Sequence, residues 1–375
     1  MLTRKLIMNK TPVRIIATYL PQFHPVPEND EWWGKGFTEW TNVGKAKPLF
    51  PGHYQPRVPA DLGYYDLRLP EVRQQQADMA RECGVEGFCY WHYWFGNGKR
   101  LLERPFNEVL ASGKPDFPFC LSWANHSWQD KQFSKEGTNR MLLEQKYGGE
   151  TDYLQHFYAL LPAFKDKRYI RVDNKPLFQI YLPLQFPEVD KFINCWQNEA
   201  KKNGLEGIHF VGHTLIEEDS EQIIAKGFDA INIVRLYHFY KHKYTLPERA
   251  FMKMKRLWFK HGGIFDYEKL FKYFSDEKDK QDNWYPTIIP NWDHSPRSGR
   301  RGNIFINSNP QNFKKHVKQV LEKVKDKKPD QRIIFLKSWN EWAEGNYMEP
   351  DLRFGRGYIE SLKSALEEME TKMPT

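Results

Sequence analysis

The sequence predicts an α/β protein, a single (β/α)8 TIM barrel with long β→α loops. Eight short runs of β-branched and aromatic residues alternate with amphipathic, helix-period segments. The length, 375 residues, suits one such barrel carrying insertions. No Gly-x-Gly-x-x-Gly run follows a strand, which argues against an open dinucleotide-binding sheet.

In order along the chain, strands are expected at Arg14–Tyr19, Glu86–Trp91, Phe117–Trp123, Pro176–Tyr181, Gly207–Gly212, Ala230–Val234, Pro286–Pro290 and Arg332–Lys337. Helices are expected at Leu69–Cys83, Asp152–Phe164, Asp190–Lys202, Glu217–Lys226, Pro310–Lys325 and Tyr358–Glu370. Strands alternating with helices imply parallel βαβ units, and eight of them fit a closed barrel better than an open sheet. No linker, repeat or low-complexity tract divides the chain, so residues 1–375 are expected to form one catalytic barrel. Two long excursions leave it: a Pro-, Gly- and Trp-rich loop over about 20–66, and a Lys-rich, partly helical insertion over about 240–283.

Composition narrows the function. At 40% hydrophobic and 28% charged, the chain can bury a large core. Its net charge of +8 permits an anionic partner. The surplus is spread out, however, and no nucleic-acid motif accompanies it, so no nucleic-acid partner is expected. The basic clusters at 253–260 and 323–328 read as solvated helix faces. Cys83, Cys89, Cys120 and Cys195 form no Cys-x-x-Cys pair and read as buried free thiols. Met1 to Lys10 has no apolar run of signal-peptide length, and no stretch is apolar enough to span a membrane. The expected location is therefore cytoplasmic, although a chain whose leader had been removed would read the same. Oligomeric state is left open.

The aromatics are the main clue. Ten of the 13 tryptophans (Trp32, Trp33, Trp40, Trp91, Trp94, Trp123, Trp128, Trp292, Trp339 and Trp342) fall at expected strand ends or in the first long loop. In this fold the active site lies at the C-terminal ends of the strands. Reading those ends in turn gives the candidate ligand-binding residues: Tyr19, His24, Trp91, His92, Tyr93, Trp123, Asn125, Trp128, Tyr181, His213, Arg235, Tyr237, Trp292, Asp293, Trp339 and Asn340. Indole rings stack on the apolar faces of pyranoses, and the interspersed polar groups suit hydroxyl edges. An oligosaccharide or polysaccharide substrate follows. The competing account is that these aromatics merely pack loops onto the barrel mouth.

The sharpest local feature is Asn340-Glu341-Trp342-Ala343-Glu344-Gly345 after the last strand. Carboxylates three apart in a turn project to one side. Glycosidases need two such groups around one bond, one protonated and one ionised. Burial among Trp339 and Trp342 would raise one pKa while the other stays charged. Glu341 and Glu344 are therefore the candidate catalytic residues. By spacing alone the same pair could sit on a solvated helix face. A serine hydrolase lacks its Gly-x-Ser-x-Gly elbow, and no His-Glu-x-x-His or clustered Cys/His spacing supports zinc. Neither a metal nor a cofactor is called for.

Longer motifs carry a resemblance. Tyr19-Leu-Pro-Gln-Phe-His-Pro25, Glu31-Trp-Trp-Gly-Lys-Gly-Phe-Thr-Glu-Trp-Thr-Asn42, Phe50-Pro-Gly-His-Tyr-Gln-Pro56, Phe88-Cys-Tyr-Trp-His-Tyr-Trp94, Trp123-Ala-Asn125 and Trp339-Asn-Glu-Trp-Ala-Glu-Gly345 resemble the WbsX-like family of polysaccharide-locus proteins. The last of these, with Asn346-Tyr-Met-Glu-Pro350, also resembles glycoside hydrolase family 99, the endo-α-mannosidases. That resemblance implies a retaining (β/α)8 enzyme whose substrate 2-hydroxyl acts as nucleophile through a 1,2-anhydro sugar. Glu341 would be the base that deprotonates this hydroxyl, and Glu344 the acid/base at the leaving oxygen. The WbsX-like resemblance instead implies a glycosyltransferase or related step in lipopolysaccharide or surface-polysaccharide synthesis. No Asp-x-Asp followed by a Rossmann-like half supports that alternative. A non-catalytic glycan-binding module would keep the tryptophans and need neither carboxylate.

Overall fold

Alternate residues of every apolar run need two buried faces, and a ring of parallel strands inside a ring of helices supplies both. The computed structural model describes residues 13–130, 140–259 and 262–371. Its eight barrel strands are β1 (Arg14–Tyr19), β2 (Val85–Trp94), β3 (Phe119–Trp123), β4 (Lys175–Ile180), β5 (His209–Thr214), β6 (Ala230–Ile233), β7 (Trp284–Ile288) and β8 (Ile333–Leu336). Each pairs in parallel with the next, and β1 pairs with both β2 and β8, so the barrel closes. The main helices are α1 (Pro70–Glu82), α2 (Arg104–Ser112), α3 (Gly149–Phe164), α4 (Val189–Lys202), α5 (Ser220–Ala225), α6 (Leu246–Phe259), α7 (Pro310–Val324) and α8 (Gly357–Glu370). All eight expected strands are present, with ends displaced by a few residues. β2 runs on to Trp94, and β7 begins at Trp284.

One continuous core joins barrel and helices, from Ile15 and Ile16 on β1 to Ile359 and Leu362 on α8. Buried polar groups within it are paired across strands: Gln179 donates to Ser122 Oγ (3.1 Å) and Asn232 to Thr287 Oγ1 (2.8 Å). Cys83, Cys89 and Cys120 are buried free thiols, and Cys195 is half-buried. One expected solvated charge is not solvated. Lys327 is buried, its ammonium donating to the Trp284 carbonyl beside the Tyr285 ring, and desolvation lowers its pKa to about 8.

The two long excursions have structure of their own. In the first, helix Pro27–Trp33 sets Trp32 against Trp128 at 5.8 Å, and helix Glu39–Lys45 folds over the turn after β8. Thr38 caps the second through a reciprocal capping box with Thr41, and Trp40 packs on Trp342 at 5.5 Å. In the insertion, Ile264–Asp266 pairs with Ile304–Ile306 from the loop after β7. A satellite core of Phe239, Phe265, Tyr267, Phe274 and Phe305 sits beneath them. The loops after β6 and β7 thus support one another. The segment Met1 to Lys10, read above for a leader, lies outside the described residues. No helix among the described residues is long and apolar enough to cross a membrane.

Barrel closure at β2 depends on a side chain that is missing. A Cβ on Gly87 would lie 2.3 Å from the Pro118 carbonyl oxygen and 2.9 Å from Ile170 Cδ1. Because the nearer contact is backbone, Gly87→Ala is expected to cost about 1–3 kcal/mol by overpacking. The urea midpoint should fall at an unchanged denaturant slope.

Candidate functional site

The strand C-termini open into a cavity of about 720 Å³. Its walls include Trp33, Trp91, Tyr93, Trp128, Tyr181, His213, Tyr237, Trp292 and His294, with Glu39, Arg297, Lys337, Glu341 and Glu344 among the charged groups. Both candidate carboxylates therefore face one cavity, together with Trp91 and Trp292.

Local structure after β8 explains how both glutamates turn inward. Asn340–Glu341 pairs antiparallel with Asn346–Tyr347 around a single 3-10 turn, Trp342–Glu344. Gly345 closes this hairpin at φ 61°, a conformation costly for other residues. A Cβ there would also lie 2.7 Å from Asp293 Cβ. Trp342 points away from the cavity, stacks on Tyr347 at 3.8 Å and donates Nε1–H to Glu349 at 2.6 Å. Gln76 and Tyr65 also donate to Glu349, whose pKa burial pushes up to about 7. Asn340 ties the hairpin to the loop after β1, its amide meeting both the N–H (2.8 Å) and the carbonyl (3.0 Å) of Leu20.

A second turn brings in the cation. Asp293 Oδ1 accepts from the Ser295 N–H (3.0 Å), starting the one-turn helix Ser295–Ser298 that carries Arg297. Asp293 Oδ2 accepts from Gln55 (2.8 Å) and from His53 Nε2 (2.9 Å), with Arg57 at 3.6 Å, and the Asp293 N–H donates to the Glu344 carbonyl (2.6 Å). One buried carboxylate thereby fixes the Arg297 turn, the Glu344 turn and the loop at 53–57. Burial alone would raise the Asp293 pKa. The donors from His53 and Ser295 and the Arg57 charge outweigh it and hold the group well below the usual carboxylate range.

Arg297 reaches three carboxylates at once. It contacts Glu344 Oε1 at 2.6 Å, Glu39 Oε1 at 2.9 Å and Glu341 Oε1. His294 Nε2 lies 3.6 Å from Glu344. Burial pushes both glutamates toward the neutral form, and Arg297 opposes it in both. Glu344 has the further help of His294, so its pKa falls. Glu341, the less exposed of the two (8% against 15% for the side chain) and facing Glu344 and Glu39, has a raised pKa. Two carboxyls in one cavity are thus driven apart in acidity. His213 is held neutral, its pKa lowered to about 3 by burial and by Lys337, and burial lowers that of His126 too. Both are set up as hydrogen-bonding partners rather than charges.

Of the residues picked from sequence, Glu341, Glu344, Trp91, Tyr93, Trp128, Tyr181, His213, Tyr237 and Trp292 meet at the cavity. The others do not line it. Strand alternation sends His92 outward, onto His156 Nε2 at 2.7 Å. Trp123 likewise packs on Phe186 and Phe192 and donates to the Trp94 carbonyl. Trp339 is buried on Phe88, and Tyr19 donates to Gln76 among Phe88 and Tyr90. His24 binds its own turn at the Pro21 carbonyl. Asn125 clamps Leu182 through both N–H and carbonyl. Arg235 is buried in a two-toothed ion pair with Asp279, with Glu217 at 3.0 Å, and Asp293 and Asn340 act as described above. The reading from sequence missed Arg297 and Glu39. Glu39 sits inside the quoted Glu31–Asn42 motif, and Arg297 follows Asp293-His-Ser-Pro, a helix-start pattern just beyond β7. Among the described residues, no group of three or more His, Cys, Asp or Glu side chains is placed to hold a metal.

Comparison with known proteins agrees with this architecture. A family model described as Glycosyltransferase WbsX matches residues 15–362. The chain belongs to the WbsX family. A relative from Xanthomonas campestris pv. campestris strain B100, the uncharacterized protein WxcX, is 36% identical over 357 residues. That match covers 95% of this chain but 50% of WxcX, so this WbsX-family chain spans about half the length of its curated relative. Among solved structures, the GH99 endo-α-mannosidase from Bacteroides thetaiotaomicron aligns with a TM-score of 0.58 at 16% identity, covering 96% of this chain and 98% of that one. A glycoside hydrolase-like protein aligns with a TM-score of 0.59 at 14% identity, covering 94% of each. At such identities the likeness establishes a shared barrel fold.

The Asp293 cluster gives a pH-dependent expectation. Its folded pKa lies below the unfolded value, so the stability it supplies is fully present above about pH 5 and is lost as pH falls toward 2. Asp293→Asn should cost about 3 kcal/mol at pH 7, since buried Arg57 loses its counter-charge. It should also flatten the fall in thermal midpoint between pH 5 and 3. An unchanged acid limb would mean that Asp293 is not ionised in the fold.

Proposed function

We propose that the chain is a carbohydrate-active enzyme that cleaves glycosidic bonds with net retention, using Glu341 and Glu344. The observation that carries this reading is the pair itself: two carboxyls of opposed acidity on one guanidinium, within an aromatic cavity at the barrel mouth. Trp91, Trp128 and Trp292 offer apolar faces for sugar rings, and neutral His213 and His126 offer partners for hydroxyls. The GH99 likeness extends to the fold, and the last-strand motif suggests the roles. Glu341 takes the proton of the sugar 2-hydroxyl, whose oxygen closes on the anomeric carbon. Glu344 protonates the departing oxygen and afterwards activates water.

The protein's own groups favour the proton on Glu341, the reverse of the starting arrangement these roles require. A shared cation makes that preference easy to invert. A 2-hydroxyl donating to Glu341 stabilises its ionised form, and the proton then belongs on Glu344. Substrate binding is thereby coupled to arming of the acid.

A second reading, transfer of a sugar from an activated donor during surface-polysaccharide assembly, is favoured by the family's description as glycosyltransferases. The same two carboxylates would serve, with an acceptor hydroxyl in place of water.

The test is turnover of α-mannosides, other aryl glycosides and microbial polysaccharides, with and without nucleotide sugars. Glu341→Gln and Glu344→Gln should each lower turnover by about 10²- to 10⁴-fold while ligand binding persists. Arg297→Met should move the acidic limb of the rate profile to higher pH, because both carboxylates lose the charge that keeps them ionised. Donor-dependent product would select the transferase. Binding without any turnover would reduce the protein to a glycan-binding module, and full activity in both Gln variants would overturn the catalytic assignment.

A further inference from the structure

We infer that α6, the helix of the insertion after β6, is a docking surface for an anionic lipid bilayer. Three of its apolar side chains face solvent: Phe251 at 61% exposure, Met254 at 41% and Trp258 at 75%, the last being the most exposed large apolar side chain among the described residues. Their i, i+3, i+7 spacing puts them on one stripe of the helix. Leu246, at its start, is exposed too. Solvent-facing apolar residues scattered singly need no explanation, but a stripe that includes an exposed indole does.

Charge identifies the occupant. Between residues 241 and 260 the sequence carries seven Lys or Arg and one acidic residue, in a chain whose net charge is +8. The single acid, Glu248, is turned back onto Thr245 in the first helical turn, where its carboxylate accepts from the Thr245 N–H and hydroxyl. Lys241 is paired with Glu218, but Lys253 is exposed with no acidic partner among the described residues. Arg249 and Lys253 fall on the far side of the helix, each more than roughly a quarter of a turn from every residue of the Phe251–Trp258 stripe. An apolar stripe bearing Trp and Phe opposite a basic face is the pattern of a helix lying at the boundary between anionic headgroups and acyl chains.

The full chain should cosediment with vesicles of phosphatidylcholine containing one-third phosphatidylglycerol, and not with phosphatidylcholine alone. Raising salt should weaken the binding about tenfold or more, as expected for exposed charges. The double variant Phe251→Ser/Trp258→Ser should lose about tenfold or more, and Lys253→Glu several-fold, each with an unchanged thermal midpoint. Brominated lipid should quench part of the fluorescence of the wild type but not that same part in Trp258→Phe. Absence of binding at low salt, or equal binding by the double variant, would overturn the proposal. A concentration-dependent dimer lost in the double variant would reassign the face to a second copy.

Discussion

The guanidinium of Arg297 is the interaction on which the candidate site depends. Buried Glu39 and Glu341 and half-buried Glu344 converge on it from two loops far apart in sequence, those after β1 and β8. Unpaired, such a cluster would be costly to desolvate, and its members would take up protons until the repulsion was relieved. One cation against three anions does not neutralise them. It leaves a local surplus of negative charge, which the site meets by keeping a proton on the carboxyl with the weaker support. His294 stands beside Glu344, so that carboxyl is Glu341. The asymmetry an acid/base pair requires thus follows from one extra neighbour.

The surrounding structure can be read as what keeps that cluster in place. Asp293 ties the Arg297 turn to the Glu344 carbonyl and to His53, Gln55 and Arg57. Glu349 holds Trp342, Gln76 and Tyr65 beneath the hairpin. Asn340 bolts the hairpin to Leu20. These groups are polar and buried and lie outside the cavity wall. Their role is positional: each fixes the backbone from which a cavity residue projects.

Much of the barrel is legible in the sequence because apolar runs and helix-period segments are local signals. Glu341 and Glu344 are legible for the same reason, as a short motif beyond a recognisable last strand. What is illegible depends on alternation and closure. The run Trp91-His-Tyr-Trp94 reads as one aromatic patch, yet a strand sends Trp91 and Tyr93 to the cavity and His92 and Trp94 to the helix layer. Trp123 and Trp339 look like binding aromatics and are core, since a large ring at a strand end can face either layer. Arg235 looks like an anion-binding residue and is satisfied by Asp279, which the sequence places 44 positions away. Glu39 and Arg297 meet only once the loops after β1 and β7 have folded over β8, and no local pattern announces that meeting.

The site turns on one proton shared unequally between Glu341 and Glu344 around Arg297. Its most direct test is a carboxyl 13C NMR titration of the protein labelled at glutamate, with Glu341→Gln and Glu344→Gln used to assign the two resonances. Glu341 should titrate above the ordinary glutamate range and Glu344 below it. Removing either carboxylate should shift the other's midpoint downward. Two resonances titrating together near the ordinary value, each indifferent to loss of the other, would contradict that unequal sharing.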